Sequence, residues 1–199
     1  MANISTKAQQ MPASAIRKLV PFADAAKKEG VKVYHLNLGQ PDIKSPECAL
    51  AAIKNYSAAN ISYSHSGGLM ELRKGLVDKY YRKIGIDINV DELIVTVAGS
   101  ESVNLALEIA CDPGDEVLVL EPFYTNYNTF AFMNKLTLKA IATDIRNGFQ
   151  IPPIEEFEKA ITPKTKAILI CNPGNPTGTQ YSKESMLALG EIARKHDLF

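Results

Sequence analysis

"DEVLVLEPFYTNYNTFAFMNKLTLKAIA", residues 115–142, is the stretch that decides the fold. Residues 116–122 form a short, mostly apolar run, the pattern of a buried strand. The aromatic segment that follows, up to Met133, suits a helix, and "KLTLKAIA" at 135–142 returns to the strand pattern. Strand, helix and strand in so short a span predict two parallel strands joined by a crossover.

The same alternation continues outward. "PPIEEFEKAI" (152–161) reads as a helix, "KAILICN" (166–172) as a strand, and "KESMLALGEIARKHD" (183–197) as a helix capped by Ser182. Upstream, "ELIVTVA" (92–98) reads as a strand that passes directly into the helical "GSESVNLALEIAC" (99–111), which "DPGD" ends. Leu69, Leu72, Leu76, Tyr80 and Ile84 recur at helical spacing, so a helix over 69–84 is expected to cover the core with that face. Ser45, Pro46 and "ECALAAIKNY" predict another helix, and "VYHLNLGQPDI" (33–43) a brief strand entering a loop. Residues 12–29 suit an amphipathic helix bent at Pro21 and closed by Gly30. The expected fold is α/β: a mostly parallel sheet with helices on both faces, plus a short amino-terminal helical arm. Residues 1–45 are assigned to the arm and a small-domain segment, and 46–199 to the first part of a large domain. The closing "KHDLF" reads as a helix end entering a further strand, so the chain is expected to be the amino-terminal portion of a longer protein.

Composition narrows the function. The 199 residues carry 22 Lys plus Arg and 22 Asp plus Glu, so no net charge draws nucleic acid or an anionic membrane. The start, "MANISTKAQQMPASA", lacks the apolar core of a signal peptide, and no stretch approaches membrane-spanning length, which points to the cytoplasm. Cys48, Cys111 and Cys171 are widely spaced beside apolar segments and read as packed, reduced thiols rather than disulfides or metal ligands.

In open α/β sheets ligands bind beyond the carboxyl ends of the strands, and three polar turns fall there. In "AGSES" (98–102), Gly99 permits close backbone approach, while the Ser100 hydroxyl and the first free amides of the helix suit a dianionic phosphate. "EPFYTNY" (121–127) gathers Phe123, Tyr124 and Tyr127, flat rings suited to stacking on a heteroaromatic ligand. "CNPGNPTGTQ" (171–180) fixes Asn172 and Asn175 in front of prolines, so that Asn175 can offer a directed donor. Taken singly, the first two turns read more readily as ordinary structure. The third is far more specific than turn formation requires.

These motifs carry a resemblance. "LNLGQPD", "YSHSGGLMELRKGL", "VTVAGSES", "DPGDEVLVLEPFYTNY" and "NPGNPTG", in that order, resemble the class I pyridoxal-phosphate-dependent aminotransferases of fold type I, near the bacterial aspartate aminotransferases. The resemblance covers nearly the whole chain. It implies pyridoxal 5'-phosphate as cofactor, an amino acid and a 2-oxo acid as substrates, and a homodimer with the active site at the subunit interface. By the same resemblance Gly99 and Ser100 grip the cofactor phosphate, with Glu101 where relatives often have glutamine or lysine. Tyr124 stacks on the pyridine ring, Asn175 bonds the cofactor's phenolic oxygen, and Thr177 and Gly178 turn the chain away to make room. Gly39 belongs to the substrate-carboxylate loop, and Tyr63 reaches the cofactor phosphate of the neighbouring subunit, whereas His65 reads as a loop residue. The lysine that carries the cofactor is expected beyond Phe199, because Lys183 and Lys195 sit on a solvated helix; the chain as it stands is therefore expected to be inactive alone. Two alternatives stay open: a carbon-sulfur lyase of the same fold, and a non-catalytic effector-binding module.

Overall fold

The computed structural model describes residues 2–14 and 16–199. Two compact units emerge: residues 1–33 with 102–199, and residues 34–101.

The first unit is built on a parallel sheet of β1 (Glu116–Glu121), β2 (Thr137–Ala142) and β3 (Thr165–Leu169), in the order β2-β1-β3. The expected strand-helix-strand unit is there: α6 (Asn126–Asn134) connects β1 to β2. A strand alternates its side chains between faces, and β1 uses both. Val117 and Val119 pack with Leu107 of α5 (Gly99–Ala110) and with Tyr127, Phe130 and Ala131 of α6. Leu118 and Leu120 pack on the other face with Phe157 of α7 (Ile154–Ala160) and with Leu189 and Ile192 of α8 (Lys183–Lys195). Helices therefore cover both faces, which is why β1 reads as an uninterrupted apolar run. Ser182 caps α8 by accepting from the Ser185 amide, as expected.

At the amino ends of the strands, Glu116 Oε2 accepts from the Thr162 hydroxyl at 2.6 Å and the Thr165 hydroxyl at 3.3 Å, with Lys139 Nζ at 3.5 Å. Beyond β3, the Phe199 amide donates to Lys166 O and the Ile168 amide to Phe199 O, both at 2.9 Å. The closing residues thus begin to pair along β3's outer edge. The amino-terminal arm comprises α1 (Thr6–Gln10) and α2 (Val20–Lys28), and Lys7 Nζ donates to Met133 O at 2.8 Å. Pro21 does not bend α2. It occupies the first turn, where a missing amide donor costs nothing.

The second unit departs further from expectation. Residues 33–43 form no strand; Leu36 and Ile43 stand in solvent, and no ladder partner is present among the described residues to fix an extended segment. Residues 92–98 are likewise not a ladder strand. After a 3-10 turn at Val90–Glu92 the chain runs extended, and Val95 donates to Gly67 O at 3.0 Å. α3 (Glu47–Lys54) forms as predicted, with Pro46 rather than Ser45 at the cap, and Cys48 is exposed rather than packed. The helix predicted over 69–84 forms as α4 (Met70–Leu76), a π turn (Val77–Tyr81) and a 3-10 turn (Arg82–Ile84). Its buried face differs: Val77 and Arg73 are the buried residues, while Leu69, Leu72, Tyr80 and Ile84 are exposed. Arg73 keeps its guanidinium inside by donating to Val90 O at 3.2 Å.

Candidate functional site

The strand order creates the site on the first unit. The loop after β1 leads to α6 on one face of the sheet, and the loop after β3 leads to α8 on the other. Adjacent strands whose following loops part to opposite faces open a crevice at their carboxyl ends, the position where α/β sheets bind ligands. Tyr124 stands on the first of these loops and Asn175 on the second.

The Asn175 corner is a closed loop. The Gly174 amide donates to Thr179 O at 2.8 Å and the Gly178 amide to Gly174 O at 2.7 Å. The Thr179 hydroxyl donates to Gly148 O at 2.7 Å, anchoring the far side. A Cβ on Gly174 would lie 2.6 Å from Thr177 Oγ1, so any larger residue there would displace the Thr177 side chain. The peptide bonds before Pro122, Pro173 and Pro176 are cis.

The two Asn-Pro steps part company in their hydrogen bonds. Asn172 Oδ1 accepts from the Tyr181 amide at 3.1 Å and so supports the loop. The Asn175 side chain is exposed and has no hydrogen-bond partner among the described residues. Its amide is left to donate to something else.

Tyr124 is held from two directions. Its ring meets Tyr127 edge to face, centroids 5.6 Å apart at 87°, and its hydroxyl accepts from Asn126 Nδ2 at 2.6 Å. Tyr127, buried in α6, shares a narrow cleft with Phe123, Cys171, Gly174 and Asn175. Burial, then the neighbouring Cys171 thiol, push the Tyr127 phenol up to about 12, so it is protonated at neutral pH. Burial followed by Cys171 also raises the Tyr181 phenol.

The other candidates lie on the second unit. Gly99 and Ser100 open α5, with no atom within 4 Å of where a Gly99 Cβ would stand. The Ser100 hydroxyl is exposed and unpartnered among the described residues. Glu101 Oε2 accepts from the Val97 amide at 2.6 Å, so this carboxylate is engaged with the backbone just ahead of the helix. Tyr63 is fully exposed, and Gly39 lies in an open loop with free space around its Cα. His65 Nδ1 accepts from the Gly67 amide at 3.0 Å, the loop role expected of it.

Sequence reasoning passed over Asn126 altogether and counted Tyr127 only as one ring of an aromatic cluster. Asn126, at the first position of α6 and two residues past Tyr124, was the available signal.

The parallel sheet with helices on both faces and the Asn-Pro-Thr-Gly corner at its switch point give this chain the fold of the fold type I aminotransferases. The chain belongs to the family of class I and II aminotransferases, whose signature covers residues 31–199. It is 34% identical, over its whole length, to an aspartate/prephenate aminotransferase of Thermus thermophilus, and 36% identical, over 98% of its length, to a putative aminotransferase of Bacillus subtilis. It spans about half the length of the curated relatives it matches, 52% and 50% for these two. Among solved structures, a Thermus thermophilus aspartate aminotransferase variant superposes with a TM-score of 0.89 at 33% identity, covering 100% of this chain and 52% of that one. An alanine aminotransferase from Pyrococcus furiosus superposes with a TM-score of 0.88 at 35% identity, covering 98% and 50%. Among the described residues no helix is long and apolar enough to cross a membrane.

Proposed function

We propose that these residues supply the cofactor-binding part of a pyridoxal-phosphate-dependent aminotransferase, which moves an amino group between an amino acid and a 2-oxo acid. One observation carries the reading: at the switch point of the sheet, the Asn175 side chain, unlike that of Asn172, has no hydrogen-bond partner among the described residues, and the neighbouring loop carries a tyrosine ring fixed at its edge and hydroxyl. That donor set fits the cofactor, which needs a hydrogen bond at its phenolic oxygen, a flat surface against its ring and an anion site for its phosphate.

When bound, pyridoxal phosphate supplies the carbonyl carbon that takes up the amino group and the conjugated ring that draws off electrons as the α-proton leaves. The chain's own residues bind and orient. Asn175 donates to the phenolic oxygen and favours its ionised form. Tyr124 presents a ring face, and Gly99 and Ser100 offer the phosphate a hydroxyl and the opening of a helix twelve residues long. Glu101, tied to the Val97 amide, shapes this turn and adds a negative charge beside it. Gly39 serves the substrate carboxylate. Tyr63, with no intrachain burial, serves the partner subunit of a homodimer. The enzyme works in the cytoplasm. The acceptance of aspartate is supported by the names of several relatives.

The test is Asn175→Ala in the full-length enzyme. Loss of a hydrogen bond to a charged acceptor raises the pH midpoint of the bound cofactor's absorbance change by about one to two units. It also lowers kcat/KM for amino transfer. A midpoint identical to wild type would remove Asn175 from this role.

A further inference from the structure

Tyr127 touches both loops of the crevice. Toward the loop after β1, its ring supports Tyr124 edge to face and lies stacked with Phe123, centroids 6.2 Å apart at 14°. Toward the loop after β3, Tyr127 shares a narrow cleft with Cys171, Gly174 and Asn175, its phenol neighbours the Cys171 thiol, and Cys171 Sγ donates to Pro173 O at 3.2 Å. Pro173 leads into the closed corner that carries Asn175. A single buried side chain therefore spans from the stacking ring to the base of the asparagine corner. Asn126, the residue before it, holds the opposite end of the Tyr124 ring through the phenol.

We propose that Tyr127 is a positioning residue that fixes the Tyr124 ring and the Asn175 corner relative to one another, with Asn126 setting the tilt of that ring. This rests on the reading of Tyr124 and Asn175 as cofactor contacts. The two links of Tyr127 are separable. Its ring acts on Tyr124 through an edge contact whose geometry is directional. Its hydroxyl acts on the Asn175 corner through Cys171.

The full-length enzyme loaded with pyridoxal 5'-phosphate tests this through two spectroscopic readouts, neither of them activity. The pH midpoint of the cofactor absorbance reports the donor at Asn175, and the visible circular dichroism reports the orientation of the ring against Tyr124. Tyr127→Phe keeps the ring and loses the phenol beside Cys171, so the corner loosens and the midpoint rises by about half to one pH unit, while the dichroism is retained. Asn126→Ala frees the Tyr124 phenol, so the dichroism falls while the midpoint holds. Tyr127→Leu moves both. Tyr124→Leu and Asn175→Ala serve as references. If the references respond and Tyr127→Phe keeps the wild-type midpoint, the link to the corner is wrong; if Asn126→Ala keeps the wild-type dichroism, the link to the ring is wrong. Silence of the references themselves would instead overturn the cofactor site on which the inference stands.

Discussion

Gly68→Ala probes the contact that fixes the loop after Tyr63 against the segment leading to Gly99. Gly68 has φ +96°, and a Cβ placed there lies 2.6 Å from Val95 Cβ and 2.7 Å from its Cγ2. Carbon atoms prefer a separation of about 3.5–4.0 Å, so the overlap approaches a full ångström against a side chain one bond from the backbone. The left-handed conformation costs an L residue about 1–2 kcal/mol, and the overlap about 1–3 kcal/mol more. Gly68→Ala should therefore destabilise the full-length protein by about 2–5 kcal/mol in denaturant unfolding. Gly85→Ala is the control: φ is +80° and nothing lies within 4 Å of its Cβ, so only the backbone cost of about 1–2 kcal/mol is due. Val95→Ala retains the Cβ at 2.6 Å and should rescue Gly68→Ala only in part, whereas Val95→Gly should remove the clash and show a coupling of about 1–3 kcal/mol in a double-mutant cycle. Additive effects for Gly68→Ala and Val95→Gly, or a Gly68→Ala no worse than Gly85→Ala, would refute the packing argument.

Phe157, fully buried under the sheet face formed by Leu118 and Leu120, should cost about 3–5 kcal/mol when cut to Ala, measured by the same unfolding assay. The Thr162 hydroxyl, and after it Lys139, hold the Glu116 carboxyl below its ordinary value of 4.5 against the opposing effect of burial. A lowered folded-state value gives stability that is present above the unfolded value and lost as pH falls through the folded one. Glu116→Gln should thus be less stable than wild type by about 1–2 kcal/mol at pH 7, with the gap closing as pH drops below about 4.5.

Much of the first unit was legible in the sequence because burial there follows simple periods. β1, β2 and β3 are apolar runs in a sheet covered on both sides, and α6, α7 and α8 fall between them at the expected places. The second unit was less legible because its pattern describes surfaces that nothing among the described residues covers. The β-branched run at 92–98 is extended, as its composition suggests, yet pairing depends on a neighbour that periodicity does not supply. In α4 and the turns that follow, the apolar stripe through Leu72 and Tyr80 faces solvent, and the buried positions are Arg73 and Val77. At the site, sequence located the corner without distinguishing its asparagines: Asn172 and Asn175 share the same Asn-Pro context, and only the Tyr181 amide separates them. Glu101 shows the same limit, since its Val97 partner is set by the backbone path into α5.

The central claim is that these residues bind a cofactor whose attachment point lies elsewhere in the enzyme. The direct measurement is borohydride reduction of the full-length protein loaded with pyridoxal phosphate, followed by peptide mapping. The account predicts one pyridoxyl-lysine per subunit, outside residues 1–199. A stoichiometric pyridoxyl group on any lysine within these residues, or no specific adduct at all, would contradict it.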